Sequence, residues 1–573
     1  MTGLRIVCLS AVLLLGGLHA WSSRHAGNID GISYLDLSDA VSSGDWTAAV
    51  NAHWSPLYPA ALALALRVAA PGPYWEFATV HAVNFAIFCL ALAAFDFLLR
   101  EAVRDRHRRD DEAAGLPAAA ITGLGYLLFL WASLQLVTLS VMSPDMAVAA
   151  IVFLVAGLVL SIRRGRRSAV RFGLLGAVLG VGYLVKAPLF PLAFVFVLLA
   201  WASVAAGQWR VATSRAAVAL TVFALVAGPY VVAVSLAKGR PTFGESGRLA
   251  YAWFVNGVPF RHWQGGLPAA GEATHPTRRL LDTPTLYEFA TPIGGTYPVW
   301  FDPSYWYDGI RPRLDAGDLA RTLGANAREL SDMALSWVQG GLGLFCIALL
   351  VFGGAARTSV AGVRQQWTLL VPALAGLGLY SMVSVFPRYI APFLVLLWLG
   401  VLLGLRVGPR PRFRLVASWG AAAVALLLAV HLAREVGPRA VDGALDLWHG
   451  DDRAEHTLWQ VADGLGAHGI RAGDRVAILH PDPARASWIG AIGWARLGRV
   501  RIVAEVPPEH AASYWAASIE TRQRVHRALE AAGARAVVTM RPPGHPGAEW
   551  HPIGATGYFI LSLAPPKSAV HSS

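Results

Sequence analysis

The chain has 573 residues, of which 55% are hydrophobic and only 15% are charged, and its mean hydropathy is +0.48. Soluble proteins of this length rarely carry so few charges, so the composition indicates a bundle of membrane helices. The formal net charge of +12 would suit a nucleic-acid binder. The arginines, however, cluster in short loops, at residues 100–109, 163–171 and 406–414. This is the positive-inside pattern of a protein with several membrane spans, and it argues against nucleic acid as a partner.

Apolar runs of membrane length recur along the chain. A hydrocarbon core about 30 Å thick needs roughly 20 apolar residues per helix, and by this measure the sequence predicts eleven spans: residues 4–22, 76–99, 117–137, 146–162, 170–185, 188–206, 215–236, 333–353, 367–385, 389–405 and 415–433. The first run could be a cleaved signal peptide, but the arginine-rich loops alternate correctly only if it stays as an anchor. With the N-terminus in the cytoplasm, the loops that hold Asp30, Asp145, Lys186 and Arg388 lie on the outer face.

Three segments lie outside the predicted spans. Residues 23–75 and 237–332 form outer loops, the first with an apolar run before Pro71 that is expected to lie as a helix in the membrane interface. Residues 434–573 are expected to form a small extracytoplasmic α/β domain, separate from a membrane domain of residues 1–433. Its strands are predicted near residues 475–479, 499–503, 534–539 and 558–563, with a helix over 520–532.

Several familiar motifs are absent or lie in the wrong context. Gly464, Gly466 and Gly469 match the spacing of a dinucleotide-binding loop, but they precede a predicted strand instead of following one, so they indicate a helix end. No Walker loop, zinc pattern or Gly-x-Ser-x-Gly elbow is present. The three cysteines have no disulfide or metal-ligand spacing and are expected to pack among apolar residues.

Two acids on outer loops are candidates for chemistry. A carboxylate at the membrane surface can accept a proton from a hydroxyl nucleophile, and Asp30 is placed for this a few residues after the first span. Tyr34 lies one helical turn further and could share its face. The alternative for Asp30 is that it caps a helix starting near Ile32. Asp145 begins the fourth span, where a favourable interaction with the helix dipole would also explain an acid.

Basic side chains at the same predicted face could bind an anion. Lys186 ends the fifth span and could hold a lipid phosphate, although it could also extend to the headgroups. Arg388, followed by Tyr389, opens the tenth span and offers a planar guanidinium for the same anion. His53 precedes the Ser-Pro-Leu-Tyr-Pro run of the first outer loop and is a candidate for substrate binding, with a plain surface position as the alternative.

Taken in order, these motifs resemble those of the C-type (GT-C) membrane glycosyltransferases, which include protein O-mannosyltransferases and lipid A aminoarabinose transferases. The matching features are Asp30-x-x-x-Tyr34, His53-Trp-Ser-Pro-Leu-Tyr-Pro59, Pro-Asp145, Gly-Tyr-Leu-Val-Lys186 and Arg388-Tyr389. The resemblance covers roughly the first 430 residues. It implies a GT-C-like fold in the inner (plasma) membrane and an enzyme that moves a sugar from a polyprenyl-phosphate donor to a protein, lipid or glycan acceptor.

The resemblance also implies roles for single residues. Asp30 would be the general base, Asp145 would assist in positioning or stabilisation, and Lys186 and Arg388 would hold the carrier phosphate as it leaves. Attack opposite the phosphate would invert the anomeric centre. Members of the class often show Asp-Glu where this chain has Asp30-Gly31, so no metal or other cofactor is predicted and dependence on a divalent metal stays open.

Other interpretations are also consistent with the sequence. Asp302, within a Trp- and Tyr-rich run of the long loop, could contact a sugar or could serve loop packing. A transporter or lipid flippase would be expected to have charged or broken helices at mid-membrane and inverted repeats, and neither is visible in the sequence. A non-catalytic scaffold for envelope assembly would need Asp30 and Asp145 only as helix caps.

Overall fold

The structure is a computed structural model that describes residues 2–109, 115–165, 167–289, 291–450, 456–481, 487–540, 542 and 547–563. Residues 564–573 of the predicted C-terminal domain therefore lie outside the described residues. The chain divides into two compact units. The first, which we call the helical unit, comprises Met1–Ser23, His81–Val255 and Leu314–Arg453; the second, which we call the mixed unit, comprises Arg24–Val80, Asn256–Arg313 and Ala454–Ser573.

In chain order the α-helices are α1 (Thr2–Ser22), α2 (Ile29–Ser43), α3 (Trp46–Ala49), α4 (Leu57–Ala69), α5 (Pro73–Arg109), α6 (Ala118–Leu130), α7 (Asp145–Arg163), α8 (Ala169–Val185), α9 (Leu189–Ala205), α10 (Trp209–Lys238), α11 (Ser246–Phe254), α12 (Pro298–Phe301), α13 (Pro303–Trp306), α14 (Ala316–Ala334), α15 (Trp337–Phe352), α16 (Ala356–Gln365), α17 (Trp367–Ser381), α18 (Pro387–Gly404), α19 (Pro411–Glu435), α20 (Gly437–His449), α21 (Thr457–Ala467), α22 (Trp488–Leu497), α23 (Pro508–Trp515) and α24 (Ile519–Ala531). A π-helix, Trp131–Val137, continues α6. The strands are β1 (Arg278–Asp282), β2 (Thr285–Glu288), β3 (Arg475–Leu479), β4 (Arg501–Val506), β5 (Ala536–Met540), β6 (His551–Pro552) and β7 (Tyr558–Ser562).

The predicted fold class, a polytopic helical membrane protein with a small α/β part, is confirmed, but the count of eleven spans is not. Among the described residues, seven helices are long and apolar enough to cross a membrane, and the bent pair α14 and α15 gives an eighth if it is counted as one span. Three predicted spans coincide with α8, α9 and α17, which have 17, 17 and 15 residues. At 1.5 Å per residue these helices reach only about 22–26 Å, less than the hydrocarbon thickness.

The core of the helical unit is built from apolar faces of the long helices. Phe95 of α5 packs against Phe129 of α6 and Phe153 of α7, with ring centroids 5.1 and 5.4 Å away. The nearby carboxylate of Asp96 is buried, and it accepts two hydrogen bonds of 2.6 Å from Arg5. Because this charge is paired, the helices can pack closely around it.

One seven-stranded sheet organises the mixed unit. Its order is β1-β2-β4-β3-β5-β7-β6, with a parallel centre of β4, β3 and β5 and antiparallel strands on both sides. Strands β1 and β2 come from the long loop that follows the seventh predicted span, and β2 pairs with β4 at Tyr287 and Glu505. The long loop and the C-terminal segment therefore share one sheet. The predicted boundary at residue 434 separates two segments that this sheet joins.

Candidate active site

Four of the candidate residues meet in the helical unit, in a group that we call the Asp145 cluster: Asp145, Lys186, Arg388 and Tyr389. Asp145 is the first residue of α7, Lys186 follows α8 directly, and Arg388 and Tyr389 lie in the first turn of α18. Residues from three helix ends, more than 200 positions apart at the extremes, thus come together.

The Asp145 cluster is held by short charged contacts. Lys186 Nζ lies 2.5 Å from Asp145 Oδ1, and Arg388 Nε lies 3.5 Å from Asp145 Oδ2. Ser143 Oγ donates to Asp145 Oδ2 over 2.9 Å. The ammonium of Lys186 also sits 3.8 Å from the ring centroid of Tyr389, a cation–π contact. These partners fix the positions of both cations.

The Asp145 cluster carries two positive charges and one negative charge. The Asp145 side chain is 3% exposed, whereas those of Lys186 and Arg388 are 19% and 25% exposed. The carboxylate is therefore enclosed, while both cations keep accessible surface. A cluster with an excess of positive charge and accessible donors is suited to bind an anion such as phosphate.

The loop that leads to Asp145 is conformationally unusual. It follows the π-helix Trp131–Val137, and Thr138 has φ 61° and ψ 150°. Residues other than glycine rarely adopt that conformation, and both π-helical turns and such outliers concentrate at functional sites. The loop is anchored at Thr138 Oγ1, 3.0 Å from His19 Nε2, and at the Leu139 carbonyl, 2.8 Å from His81 Nδ1.

Asp30 lies in the mixed unit, in the first turn of α2. The helix begins at Ile29 with Asn28 in the capping position, so the expected helix start near Ile32 is wrong by one turn. The carboxylate Oδ1 of Asp30 accepts a hydrogen bond of 3.1 Å from the indole N–H of Trp300. Asp145 likewise follows its capping position, which Pro144 occupies. Neither acid is the capping residue of its helix.

Aromatic side chains surround the segment near Asp30. Tyr34 is buried, and its ring is 5.0 Å from those of Trp54 and Tyr58 in edge-on contacts. The His53 ring packs edge-on against Trp54 at 4.4 Å and lies 6.2 Å from Trp300. The Trp300 carbonyl accepts hydrogen bonds from Ser33 Oγ (3.0 Å) and Trp54 Nε1 (3.2 Å). Helix α2, the His53–Trp54 segment and Trp300 are therefore one packed assembly.

Asp302 has a local role in the structure. Its carboxylate accepts from the Tyr305 amide (3.3 Å) and from Ser304 Oγ (2.5 Å), and so caps the single helical turn α13. These contacts agree with the alternative in which Asp302 stabilises the packing of the loop. The residue of this run that reaches Asp30 is Trp300, for which the sequence alone indicates no role.

A buried charged network, unexpected from the sequence, supports the same assembly. Glu505 on β4 is fully buried and lies 3.0 Å from Arg261 Nη1, 2.6 Å from His262 Nε2 and 2.9 Å from His480 Nε2. Tyr297 also donates its hydroxyl hydrogen to Glu505 over 2.8 Å. Burial alone would raise the pKa of Glu505, but the surrounding Arg261 and His480 lower that pKa well below its ordinary value. The network ties residues 261–262 and 297 of the long loop to the sheet.

The candidate residues thus fall into two groups. Asp145, Lys186, Arg388 and Tyr389 come together in the helical unit, and Asp30, Tyr34, His53 and Asp302 lie in the mixed unit. In the described part of the chain, no three His, Cys, Asp or Glu side chains are grouped so that they could hold a metal ion.

No protein-family model matches the sequence, and no curated protein matches it. Solved structures are similar to it. ArnT from Cupriavidus metallidurans in the apo state has a TM-score of 0.51 at 15% identity, covering 98% of this chain and 99% of that one. ArnT bound to undecaprenyl phosphate has a TM-score of 0.50 at 15% identity, with 99% and 100% covered.

The oligosaccharyltransferase of Archaeoglobus fulgidus, in complex with Zn and sulfate, has a TM-score of 0.44 at 13% identity and covers 93% of this chain and 68% of that one. That likeness is too weak to establish a shared fold. The likeness to ArnT covers nearly the whole of both chains. The fold expected from the resemblance to GT-C glycosyltransferases is therefore confirmed.

Proposed function

We propose that the protein is a membrane glycosyltransferase that moves a sugar from a polyprenyl-phosphate carrier to a hydroxyl acceptor at the outer face of the inner membrane. In this proposal the N-terminus is cytoplasmic and the mixed unit is extracytoplasmic. The Asp145 cluster carries the proposal, because it fixes two partly accessible cations around one enclosed carboxylate. The fold of the chain is similar to that of ArnT, which has been solved with undecaprenyl phosphate bound, and this similarity supports a lipid of the same class as the carrier.

In the proposed reaction the acceptor, the donor and Asp30 each have a defined role. The acceptor oxygen forms a bond to the anomeric carbon while the bond from that carbon to the phosphate oxygen breaks, and the bonding electrons leave on the phosphate. Asp30 takes the proton of the acceptor hydroxyl, which raises the nucleophilicity of the oxygen. Attack from the side opposite the phosphate inverts the anomeric centre. The products are the glycosylated acceptor and the polyprenyl phosphate.

Lys186 and Arg388 act on the charge that develops at the phosphate. The leaving phosphate gains negative charge as the bond breaks, so fixed cations stabilise the transition state more than the ground state. Asp145 is a positioning residue in this scheme, since it contacts both cations and is itself enclosed. Tyr389 completes the positioning by offering its ring to the Lys186 ammonium.

Asp30 is placed to act as a base because the indole N–H of Trp300 donates a hydrogen bond to its carboxylate and orients it. Tyr34 and His53 pack within the same aromatic assembly. Aromatic faces pack well on sugar rings, and we assign these residues to substrate binding on that ground. Asp302 is assigned only to shaping the run that contains Trp300.

Binding of the lipid product tests the part of the proposal that concerns the phosphate. The affinity of purified protein in neutral detergent for undecaprenyl phosphate is measured for wild type, Lys186→Met and Arg328→Met. We expect Lys186→Met to bind about tenfold more weakly. Arg328→Met is the matched control, because it also removes one cation, from the exposed surface of α14 in the same unit. It should leave the affinity unchanged. Equal binding by all three proteins would contradict the assignment.

A further inference from the structure

The mixed unit contains a cleft of about 430 Å³ that the proposed chemistry does not use. Its floor is Arg496 of α22, a buried guanidinium that contacts Asp36 at 2.9 Å, Asp39 at 2.5 Å and Glu76 at 2.6 Å. Three carboxylates surround this one arginine. The charge of Arg496 is therefore more than compensated by these carboxylates, and the contacts hold α2, α5 and α22 together.

The rim of the cleft differs from the floor, because its arginines are exposed and not all of them are paired with carboxylates. Arg475 on β3 and Arg501 on β4 line the cleft and are paired in register on neighbouring parallel strands. Both side chains are exposed. Among the residues that the structure describes, neither guanidinium pairs with a carboxylate. Like charges at directly paired positions of two strands disfavour the sheet, so an anion between them would relieve a cost that the fold otherwise bears.

A third rim residue, Arg499, is held in an uncommon conformation. Its φ is 54°, in the left-handed region that few residues other than glycine adopt. Its guanidinium lies 2.9 Å from Glu76 while 39% of the side chain stays exposed. Backbone outliers of this kind concentrate where a side chain is aimed at a ligand. Three exposed arginines, Arg475, Arg499 and Arg501, therefore line the cleft.

The cleft shares its supporting elements with Asp30. Asp36 and Asp39 lie on α2, as Asp30 does, and six residues of helix separate Asp30 from Asp36 by about 9 Å along the axis. Thr296, which lines the cleft, donates its amide hydrogen to Asp36 over 2.7 Å. Four residues further along, Trp300 donates to Asp30. A ligand in the cleft would thus lie on the elements that position the proposed base.

We infer that this cleft binds a phosphorylated carbohydrate, with Arg475, Arg501 and Arg499 taking the phosphate. Guanidinium groups bind phosphate oxygens through paired, charge-assisted hydrogen bonds. Asp39, whose side chain is 57% exposed, accepts hydrogen bonds from sugar hydroxyl groups at the inner end. The volume is within the range of about 300–1,000 Å³ that small-molecule sites occupy. We assign this ligand to the acceptor of the sugar transfer, and this assignment rests on the proposed function.

The binding claim is tested on the purified full-length protein in neutral detergent by calorimetry with glucose 6-phosphate, glucose and inorganic phosphate. The test variant is Arg475→Gln with Arg501→Gln, and the control is Arg524→Gln with Arg527→Gln, two exposed arginines of α24 outside the cleft. Wild type and control should bind glucose 6-phosphate equally, and the test variant about tenfold more weakly.

The other two ligands define the chemical class. Inorganic phosphate should bind wild type about tenfold more weakly than glucose 6-phosphate, and glucose more weakly still. Equal affinity for inorganic phosphate would overturn the carbohydrate assignment, as would displacement of glucose 6-phosphate by phosphatidic acid in mixed micelles at lower concentration. No binding by wild type, or equal binding by the test variant, would overturn the site itself.

A transfer assay separates this inference from the proposed function. Glucose 6-phosphate should inhibit sugar transfer in membranes with wild type and should inhibit the test variant about tenfold less. If calorimetry shows the site and transfer is not inhibited, the assignment to the acceptor fails while the site stands. If Asp30→Asn transfers sugar as well as wild type does, the proposed function fails and the calorimetric result is unaffected.

Discussion

The indole N–H of Trp300 donates a hydrogen bond of 3.1 Å to the carboxylate of Asp30, across 270 residues of sequence. The Trp300 carbonyl at the same time accepts from Ser33 and Trp54. The backbone of Trp300 is thus held in place, and the indole N–H, the one donor of its side chain, points at the acid. This contact orients the carboxylate that we propose as the base.

Replacement of Trp300 by Phe should slow sugar transfer. The ring keeps most of its packing against Trp54, but the donor to Asp30 is lost, so the proposed base is less well oriented and the rate should fall about tenfold. Affinity for undecaprenyl phosphate should not change. Trp46→Phe, at an exposed position of the same unit, is the control and should transfer at the wild-type rate. A Trp300→Phe rate equal to that of the control would show that the contact is structural only.

Glu505→Gln should destabilise the mixed unit strongly. Removal of this charge leaves the buried guanidinium of Arg261 without its carboxylate partner, and breaking a buried pair in this way costs about 3–5 kcal/mol. Glu520→Gln, an exposed change on α24, should alter stability by less than about 0.5 kcal/mol. Urea unfolding followed by tryptophan fluorescence measures both, and coincident unfolding curves for the two variants would refute the role assigned to the network.

The stability of the mixed unit should fall as the pH is lowered. Burial lowers the pKa of His480 below its ordinary value of 6.5, with Glu505 opposing the effect and Arg261 and His262 adding to it. The unfolded chain therefore binds a proton that the folded one does not, so the contribution of neutral His480 is present above pH 6.5 and lost below it. The depressed pKa of Glu505 has the same sign and acts at lower pH.

His480→Gln isolates this effect. The amide of glutamine can still donate to Glu505 but does not titrate, so unfolding midpoints between pH 7 and 5 should depend less on pH than those of wild type. A smaller slope remains from His526, whose pKa burial also lowers. A slope identical to that of wild type would mean that His480 does not control acid stability.

The sequence contained enough to predict most of the helical unit and, in the mixed unit, the positions of β3, β4, β5, β7 and α24. Apolar runs and arginine-rich loops predicted the long apolar helices, because hydropathy and charge placement are local properties of the chain. Helix α14 (Ala316–Ala334), which is amphipathic, fell almost wholly within the predicted loop of residues 237–332. The predicted spans at α8, α9 and α17 coincide with helices of 17, 17 and 15 residues, and the count of eleven spans is not confirmed because these helices are shorter than the hydrocarbon thickness. Lys186 and Arg388 could be named because each ends or begins such a run.

Contacts between distant segments left no comparable mark. Glu505 meets Arg261 across 244 residues, and Arg496 meets Asp36 across 460. No periodicity links such pairs, and each residue alone resembles an ordinary surface charge. The same holds for β1 and β2, which are short, partly polar strands within a long loop and pair only when β4 lies beside them.

Sugar transfer by Asp30→Asn tests the central claim most directly. Labelled sugar on a polyprenyl-phosphate donor is supplied to membranes that contain wild type, Asp30→Asn or Asp45→Asn at matched expression, and label in any lipid or polymeric product is measured. Asp45 caps α3 at the surface of the same unit, where Asn also caps well. We predict transfer by wild type and Asp45→Asn, and a loss of about 100-fold or more in Asp30→Asn. Equal transfer by all three proteins would contradict the role of Asp30 as the base.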